Sequence, residues 1–360
     1  MVVDISISLE PQEQGERRLR GQRIASAVAA RRATAGEFLL TCASGFVAVH
    51  VLTELLQLGY KACGTVRSKD KGEVLDRMFT SNWGRVQWGE TDGALDEAVK
   101  GLDAITHTGS YITAVNGTVH VLKSALLEPK IKRVVITSSF AAILNPEPPV
   151  STFTEKDWNH ISLEEVEKKG AETDAFHSYR ASKTLAEKAA WKFVEDHTKY
   201  GVAPFDLATI NPPLIFGPIL HDVKSAASLN TSVGAFYAFL TGAKKDDDAM
   251  APLGSYIDVR DVAKLHVDAL SIEEAGGKRF AASSGSFYYQ LALDTLHAPS
   301  NSDLLLQFPK AVAGHPHATA PVQNVLDASR AKELFNWTPI PFEKTFTDMA
   351  VSLAETNGVG

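Results

Sequence analysis

Two residues in the stretch Ser178-Tyr179-Arg180-Ala181-Ser182-Lys183 have the types and spacing for proton chemistry. Tyr179 and Lys183 stand four apart, so on a helix they share one face. A phenol is a weak acid, with an ordinary pKa of about 10. An ammonium beside it favours the phenolate and brings the proton into a useful range. Such a pair suits protonation of a carbonyl oxygen while hydride arrives at the carbon. Spacing alone does not establish this, because roughly one chain in two of this size carries Tyr-x-x-x-Lys by accident. The plain alternative is a tyrosine packed on the core with a solvated lysine stem. The pair gains meaning only if the rest of the chain builds a nucleotide site around it.

The elements that must position the pair start at Phe38. Phe38-Leu39-Leu40-Thr41-Cys42 reads as a buried strand and Ala43-Ser44-Gly45-Phe46 as a turn. Val47 to Leu58 has helical periodicity ending at Gly59, and Tyr60 to Val66 is a second strand. Strand, turn, helix and strand within about thirty residues is the βαβ unit of a dinucleotide site. Phosphate binding there needs backbone N–H groups at a helix N-terminus, which makes Ser44, Gly45, Phe46 and Val47 the candidate cradle. Gly45 and the small Ala48 hold two of the three positions of a glycine-rich loop, while Cys42 stands at the first. A Cβ at that position strains the turn by something like ~1–3 kcal/mol if φ is positive, so a reduced cofactor affinity is expected. Arg67 follows the second strand where an NAD site carries an acid for the ribose hydroxyls. With Lys71 one turn on, it suits a 2′-phosphate, hence NADP(H).

Further strands are expected at Val86–Trp88, Asp103–Ser110, Lys132–Ser139 and Phe205–Asn211, with helices at Gly93–Lys100 and Thr118–Leu127. Thr108 belongs to a strand end whose small polar residues can pass beneath a cofactor. His107 in the same strand reads either as a catalyst or, more plainly, as a satisfied structural histidine. Ser138 and Ser139 lie at the carboxyl edge of their strand, the ligand edge of open α/β sheets. A serine there can donate to a carbonyl oxygen as charge grows on it; capping is the bland alternative. Glu155–Lys169 reads as a charged surface insertion. Leu229–Leu240, with Phe236, Tyr237 and Phe239, reads as an apolar helix, and the aromatic stripe as core. Val259–Leu270, Val325–Phe335 and Phe342–Ala354 read as helices.

Composition narrows the class. A chain of 360 residues with 44% hydrophobic content can bury a large core, and a net charge of −7 gives no reason to expect nucleic acid or an anionic membrane as partner. No apolar run has the length of a membrane span. The two cysteines, Cys42 and Cys63, read as buried free thiols of a reducing compartment. A cytoplasmic protein is expected. Residues 1–37 differ from the rest. Six arginines among small and aliphatic residues suggest a basic amphipathic helix, but Asp4, Glu10, Glu13 and Glu16 argue against a mitochondrial transit peptide. A disordered or loosely docked extension is the default.

In order and spacing, several segments resemble the extended short-chain dehydrogenase/reductase family. They are Thr41 to Ala48, Gly64 to Ser68, Val115-Asn116-Gly117-Thr118, Arg133 to Ser139, Tyr179 to Lys183, Asn211 to Pro218 and Tyr256 to Ala263. Within the family, of the NAD(P)-dependent epimerase/dehydratase superfamily, they look most like the dihydroflavonol-reductase and fungal aldehyde/ketone reductase branch. The resemblance implies a doubly wound Rossmann parallel sheet, class α/β, at 38–212. A smaller substrate lobe at 213–360 would return elements to that sheet.

By this resemblance, Tyr179 is the proton donor and Ser139 orients the carbonyl. Lys183 lowers the tyrosine pKa and holds the nicotinamide ribose, while Pro213 lies by the nicotinamide. The implied activity is NADPH-dependent reduction of an aldehyde or ketone by a monomer or homodimer, with no metal. An epimerase, dehydratase or hydroxysteroid-type dehydrogenase on the same scaffold is an alternative. A non-catalytic NADP-binding sensor is another. Three departures from the family stand out: Cys42, a short stretch between Trp88 and Gly93, and a short loop after Ser110.

Overall fold

The computed structural model describes residues 36–79, 83–87, 93–109, 114–146, 150–199, 201–319, 321 and 323–356. Residues 1–35, the 88–92 stretch and residues 110–113, at the loop after Ser110, therefore lie outside the described residues. The chain opens with β1 (Glu37–Thr41), α1 (Phe46–Gln57), β2 (Lys61–Val66), α2 (Lys69–Met78), β3 (Trp83–Gln87) and β4 (Ala104–His107). There follow α3 (Ala114–Ala125), β5 (Arg133–Thr137), β6 (Thr152–Phe153), α4 (Ile161–Lys169), α5 (Ala175–Lys199), β7 (Asp206–Asn211) and β8 (Leu214–Phe216). The remainder contributes α6 (Thr231–Leu240), β9 (Gly254–Asp258), α7 (Val259–Ser271), β10 (Lys278–Ala281), β11 (Gly285–Phe287) and α8 (Tyr289–His297). Last come β12 (Val325–Leu326), α9 (Ser329–Phe335) and α10 (Phe342–Glu355).

Seven strands form one parallel sheet in the order β10-β7-β5-β4-β1-β2-β3. Its strands are apolar nearly throughout because both faces are covered. Alternate residues enter different cores: Leu40, Val135 and Ala208 join one cluster with α1 and α7, while Leu39, Val134 and Leu207 join another with α3 and α5. Chain order reverses between β1 and β4, which opens a crevice at the carboxyl edge. A third cluster is aromatic and, apart from Phe46 of α1, is drawn from the second half of the chain. It includes Phe216, Phe236, Phe239, Phe287 and Phe346, each fully buried, so the stripe on α6 is core. Around it, β8 and β9 pair in parallel and β11 runs antiparallel to β9.

Several elements differ from the sequence expectation. Gly93–Lys100 is a series of turns, bounded by Gly93 and Gly101 with positive φ of 82° and 77°. The Asp96 amide donates to the Gly93 carbonyl and the Val99 amide to the Leu95 carbonyl, which does not make a continuous helical ladder. The strand expected at Val86–Trp88 is β3, placed earlier because Gly64 of β2 pairs with Arg85. Helix α3 begins at Ala114 and not at Thr118. The segment expected to be helical from Val325 to Phe335 starts as β12, paired in parallel with β6. There the Leu326 amide donates to Ser255 Oγ at 2.9 Å, a long-range partner that the local pattern does not reveal. Neither Cys42 nor Cys63 is in a disulfide, and both are half-buried, not buried.

Glu155–Lys169 is not simply a surface insertion. Glu155, Asn159 and Ser162 are buried, and α4 packs against α5.

Candidate active site

The cofactor turn is tied to its neighbours by hydroxyls. The Cys42 amide donates to Thr65 Oγ1 at 3.0 Å and the Ala43 amide to the Thr65 carbonyl at 2.9 Å. Thr108 Oγ1 donates to the Thr41 carbonyl at 2.6 Å, clamping the end of β4 to the end of β1. Cys42 adopts φ 55°, the left-handed conformation that a glycine takes without steric cost. The chain therefore keeps the glycine-type turn with a side chain in it. Gly64 shows why the neighbouring strand must stay bare: a Cβ there would stand 2.6 Å from Ala43 Cβ and 2.2 Å from the Trp83 ring.

Helix α1 starts at Phe46 with no side-chain cap on its N-terminus and no acid in its first turn. Gly45 precedes it in extended conformation, and Ser44 and Val47 flank it half-buried. Uncapped N–H groups and the positive end of the helix dipole fit a pyrophosphate. Arg67 and Lys71 are exposed at the exit of β2 and in the first turn of α2, on the side expected for a 2′-phosphate. The residues present thus fit a dinucleotide. Replacing Cys42 by glycine removes about 1–3 kcal/mol of left-handed strain, against about 0.5–1 kcal/mol of added glycine entropy. Cys42→Gly is expected to tighten NADPH binding in a fluorescence titration and to leave the melting temperature unchanged or slightly raised. Weaker binding would mean that the thiol is accommodated as a contact.

The catalytic candidates ride on α5 and at the end of β5. Helix α5 begins at Ala175, one turn before Tyr179, and its inward face carries Ala181, Lys183, Ala186, Glu187 and Ala190. The alanines let the helix approach the sheet closely. Tyr179 is 46% exposed while Lys183 is only 5% exposed, so the phenol faces the open side and the amine is enclosed. Burial pushes the Lys183 ammonium down to about 8, and the Glu187 carboxylate one turn on opposes that fall. No hydrogen bond joins Lys183 to a described residue, which leaves its donors for a ligand and for Tyr179.

Ser139 is the residue before the short 3₁₀ turn Phe140–Ala142, and its Oγ accepts from the Ala141 amide at 3.1 Å. The capping role is therefore real. It leaves the hydroxyl proton for a substrate oxygen, since capping uses the oxygen as acceptor. Helix α5 packs against this turn, which brings Ser139 to the same edge as Tyr179. Pro213 is half-buried between β7 and β8 at that edge, and the preceding Pro212 carbonyl accepts from the Phe140 amide at 2.8 Å. His107 is a structural histidine. Its Nδ1 hydrogen-bonds Thr41 Oγ1 at 2.8 Å, and burial followed by the nearby Lys183 charge lowers it to about 4. An imidazole held neutral and enclosed supports the strand ends and does not compete as an acid.

Sequence reasoning missed Glu187, Arg279 and Trp158. Glu187 is buried and paired with Arg279 at 2.7 Å, and the Arg279 guanidinium lies 3.6 Å over the Trp158 ring. A signal was available in the spacing, because Tyr179, Lys183 and Glu187 recur every four residues on one helix face.

No family model matches the chain. Individual relatives do. It is 35% identical to the ketoreductase azaE of Aspergillus niger over 73% of this chain and 82% of that protein. It is 30% identical to the NADPH-dependent methylglyoxal reductase GRE2 of Saccharomyces cerevisiae over 88% of this chain and 97% of that protein. Among solved structures, Gre2 of Candida albicans in complex with NADPH superposes with a TM-score of 0.78 at 30% identity, covering 89% of this chain and 99% of that one. The parallel sheet agrees with these likenesses, and the chain belongs to the extended short-chain dehydrogenase/reductase family, on the branch that contains these reductases.

Proposed function

We propose that the protein reduces an aldehyde or ketone to an alcohol with NADPH, using Tyr179, Lys183 and Ser139. One observation carries the assignment of residues. An exposed phenol and an enclosed ammonium sit one helical turn apart at the sheet edge that also holds the uncapped cofactor helix. When bound, NADPH supplies the hydride. The chain supplies the rest: Ser139 donates to the carbonyl oxygen, and Tyr179 gives that oxygen its proton. Lys183 stabilises the negative charge left on the phenol oxygen, in a setting where burial strengthens the interaction. The related ketoreductase and methylglyoxal reductase support a small carbonyl compound as substrate.

Titration of the purified protein with NADPH and NADH, with and without a panel of aldehydes and ketones, tests the reading. NADPH is expected to bind more tightly and to be oxidised only when a carbonyl compound is present. Charge-assisted contacts contribute about 1.5–3 kcal/mol, so the double change Arg67→Ala with Lys71→Ala should weaken NADPH about 10- to 100-fold and NADH much less. Equal losses for both cofactors would remove these two residues from the 2′-phosphate site.

A further inference from the structure

The most heavily bonded buried acid in the described structure is Glu187, and the proton-transfer chemistry assigned above does not use it directly. Oε2 accepts from Ser138 Oγ at 2.5 Å, from Asn211 Nδ2 at 2.7 Å and from Arg279 Nη2 at 3.3 Å. Oε1 accepts from Arg279 Nε at 2.7 Å, Thr209 Oγ1 at 3.0 Å and Trp191 Nε1 at 3.3 Å. Ser138 and Asn211 lie at the strand ends beside the site, whereas Trp191 belongs to α5 itself. Ser138 precedes Ser139, and Asn211 also donates to the Ser139 carbonyl at 3.3 Å. Arg279, on β10, reaches onward to the carbonyls of Glu155 and Asp157, each at 2.7 Å.

We propose that Glu187 is a positioning residue for proton transfer, holding the Ser139 strand end in register with the Tyr179 helix and placing a carboxylate one helical turn from Lys183. The proposal rests on the reductase reading. A buried ion pair is a poor way to gain stability, because well-packed apolar residues often serve as well or better. Here the carboxylate stands one turn from Lys183 and joins three strands to the catalytic helix, a placement that serves geometry and charge together. Among the described residues, Glu187 on its own helix and His107 on β4, a neutral imidazole, are the groups that interact with the Lys183 amine, and Arg279 of β10 pairs with Glu187. Burial drives the ammonium down, and Glu187 is the charge that resists it.

The deciding comparison is wild type against Glu187→Gln combined with Arg279→Met, which removes both buried charges and leaves neither unpaired. Melting temperature, NADPH affinity by fluorescence, and kcat and KM across pH are measured on each. The double variant is expected to fold and to bind NADPH within about threefold of wild type, because it keeps every group placed on the cofactor. Its kcat should fall about tenfold or more at neutral pH with a smaller change in KM. The alkaline limb of its kcat profile should move to lower pH by about one unit, since the amine loses its proton earlier. Glu187→Asp, which keeps the charge, should restore part of that limb. A double variant that melts like wild type and traces the wild-type pH profile would overturn the proposal, reducing Glu187 to a structural partner of Arg279. Should the double variant not fold, the same pH profile is read on Glu187→Gln alone, where an unmoved limb is equally decisive. Wild-type protein that oxidises no NADPH with any carbonyl compound would instead sink the reductase reading beneath it.

Discussion

Replacing Tyr179 by phenylalanine is expected to lower kcat by about 10²–10⁴-fold, the usual contribution of a positioned general acid. NADPH affinity should stay within about twofold of wild type, because one hydroxyl is lost from an exposed ring and no charge is disturbed. The substitution removes the proton and little else. Tyr179 is 46% exposed and makes no hydrogen bond through its hydroxyl with a described residue, so no buried partner is stranded. The melting temperature should be unchanged. Steady-state kinetics alongside a fluorescence titration read both quantities. Surviving activity with intact cofactor binding would mean that another group or a water delivers the proton.

The second large effect concerns Lys183, where activity and stability should move in opposite directions. Lys183→Met keeps the length of the side chain and removes the charge. Loss of the ammonium removes charge stabilisation in an enclosed site, so kcat should fall about 10²-fold or more. NADPH should weaken about fivefold if the amine also donates to the ribose, as one hydrogen bond is worth about 1 kcal/mol. Stability should rise. Burial lowers the amine from its ordinary 10.5 to about 8, so the proton is held more weakly in the folded chain than in the unfolded one. That difference destabilises the native state by about 3 kcal/mol wherever the amine is charged in both states, which is below about pH 8. The destabilisation fades as pH rises from about 8 toward 10.5, because the folded form sheds its proton first. The methionine variant should therefore melt higher than wild type at neutral pH, with the gap closing at alkaline pH. A lower melting temperature at neutral pH would show that the buried amine has favourable partners that the geometry does not display. The trade between a strained functional group and stability is a general one.

How much of this was legible in the sequence can be judged residue by residue. Strand–turn–helix–strand around Gly45 was readable because each element obeys a short-range rule: apolar runs for covered strands, a periodic helix and a glycine at its end. The left-handed turn at Cys42 was foreseen from its place in the loop, and φ 55° agrees. Tyr179 and Lys183 were readable because helical spacing alone puts them on one face. Their unequal exposure was not readable. It arises because α5 lies against the sheet on its alanine-bearing side, a fact of packing.

Other features depended on partners far away in the chain. Val325 and Leu326 have no local reason to be extended; they become β12 because Thr152 and Phe153 lie alongside. Glu155 looked like one more surface acid, yet it is buried and paired with Arg330 at 2.9 Å. The Glu187 network collects Ser138, Thr209, Asn211 and Arg279, which only a folded sheet brings to one carboxylate. The sequence by itself determined the parallel α/β class, and it supplied the candidate cofactor turn and the candidate pair Tyr179 and Lys183, because periodicity and loop chemistry are local. Which hydroxyl caps, which histidine stays neutral and which acid is buried beside the lysine were decided by the tertiary structure. Desolvation and pairing are set in large part by neighbours distant in the chain, as His107 with Thr41, Glu187 with Arg279, and Arg133 with the carbonyls of Ala269 and Glu273 illustrate.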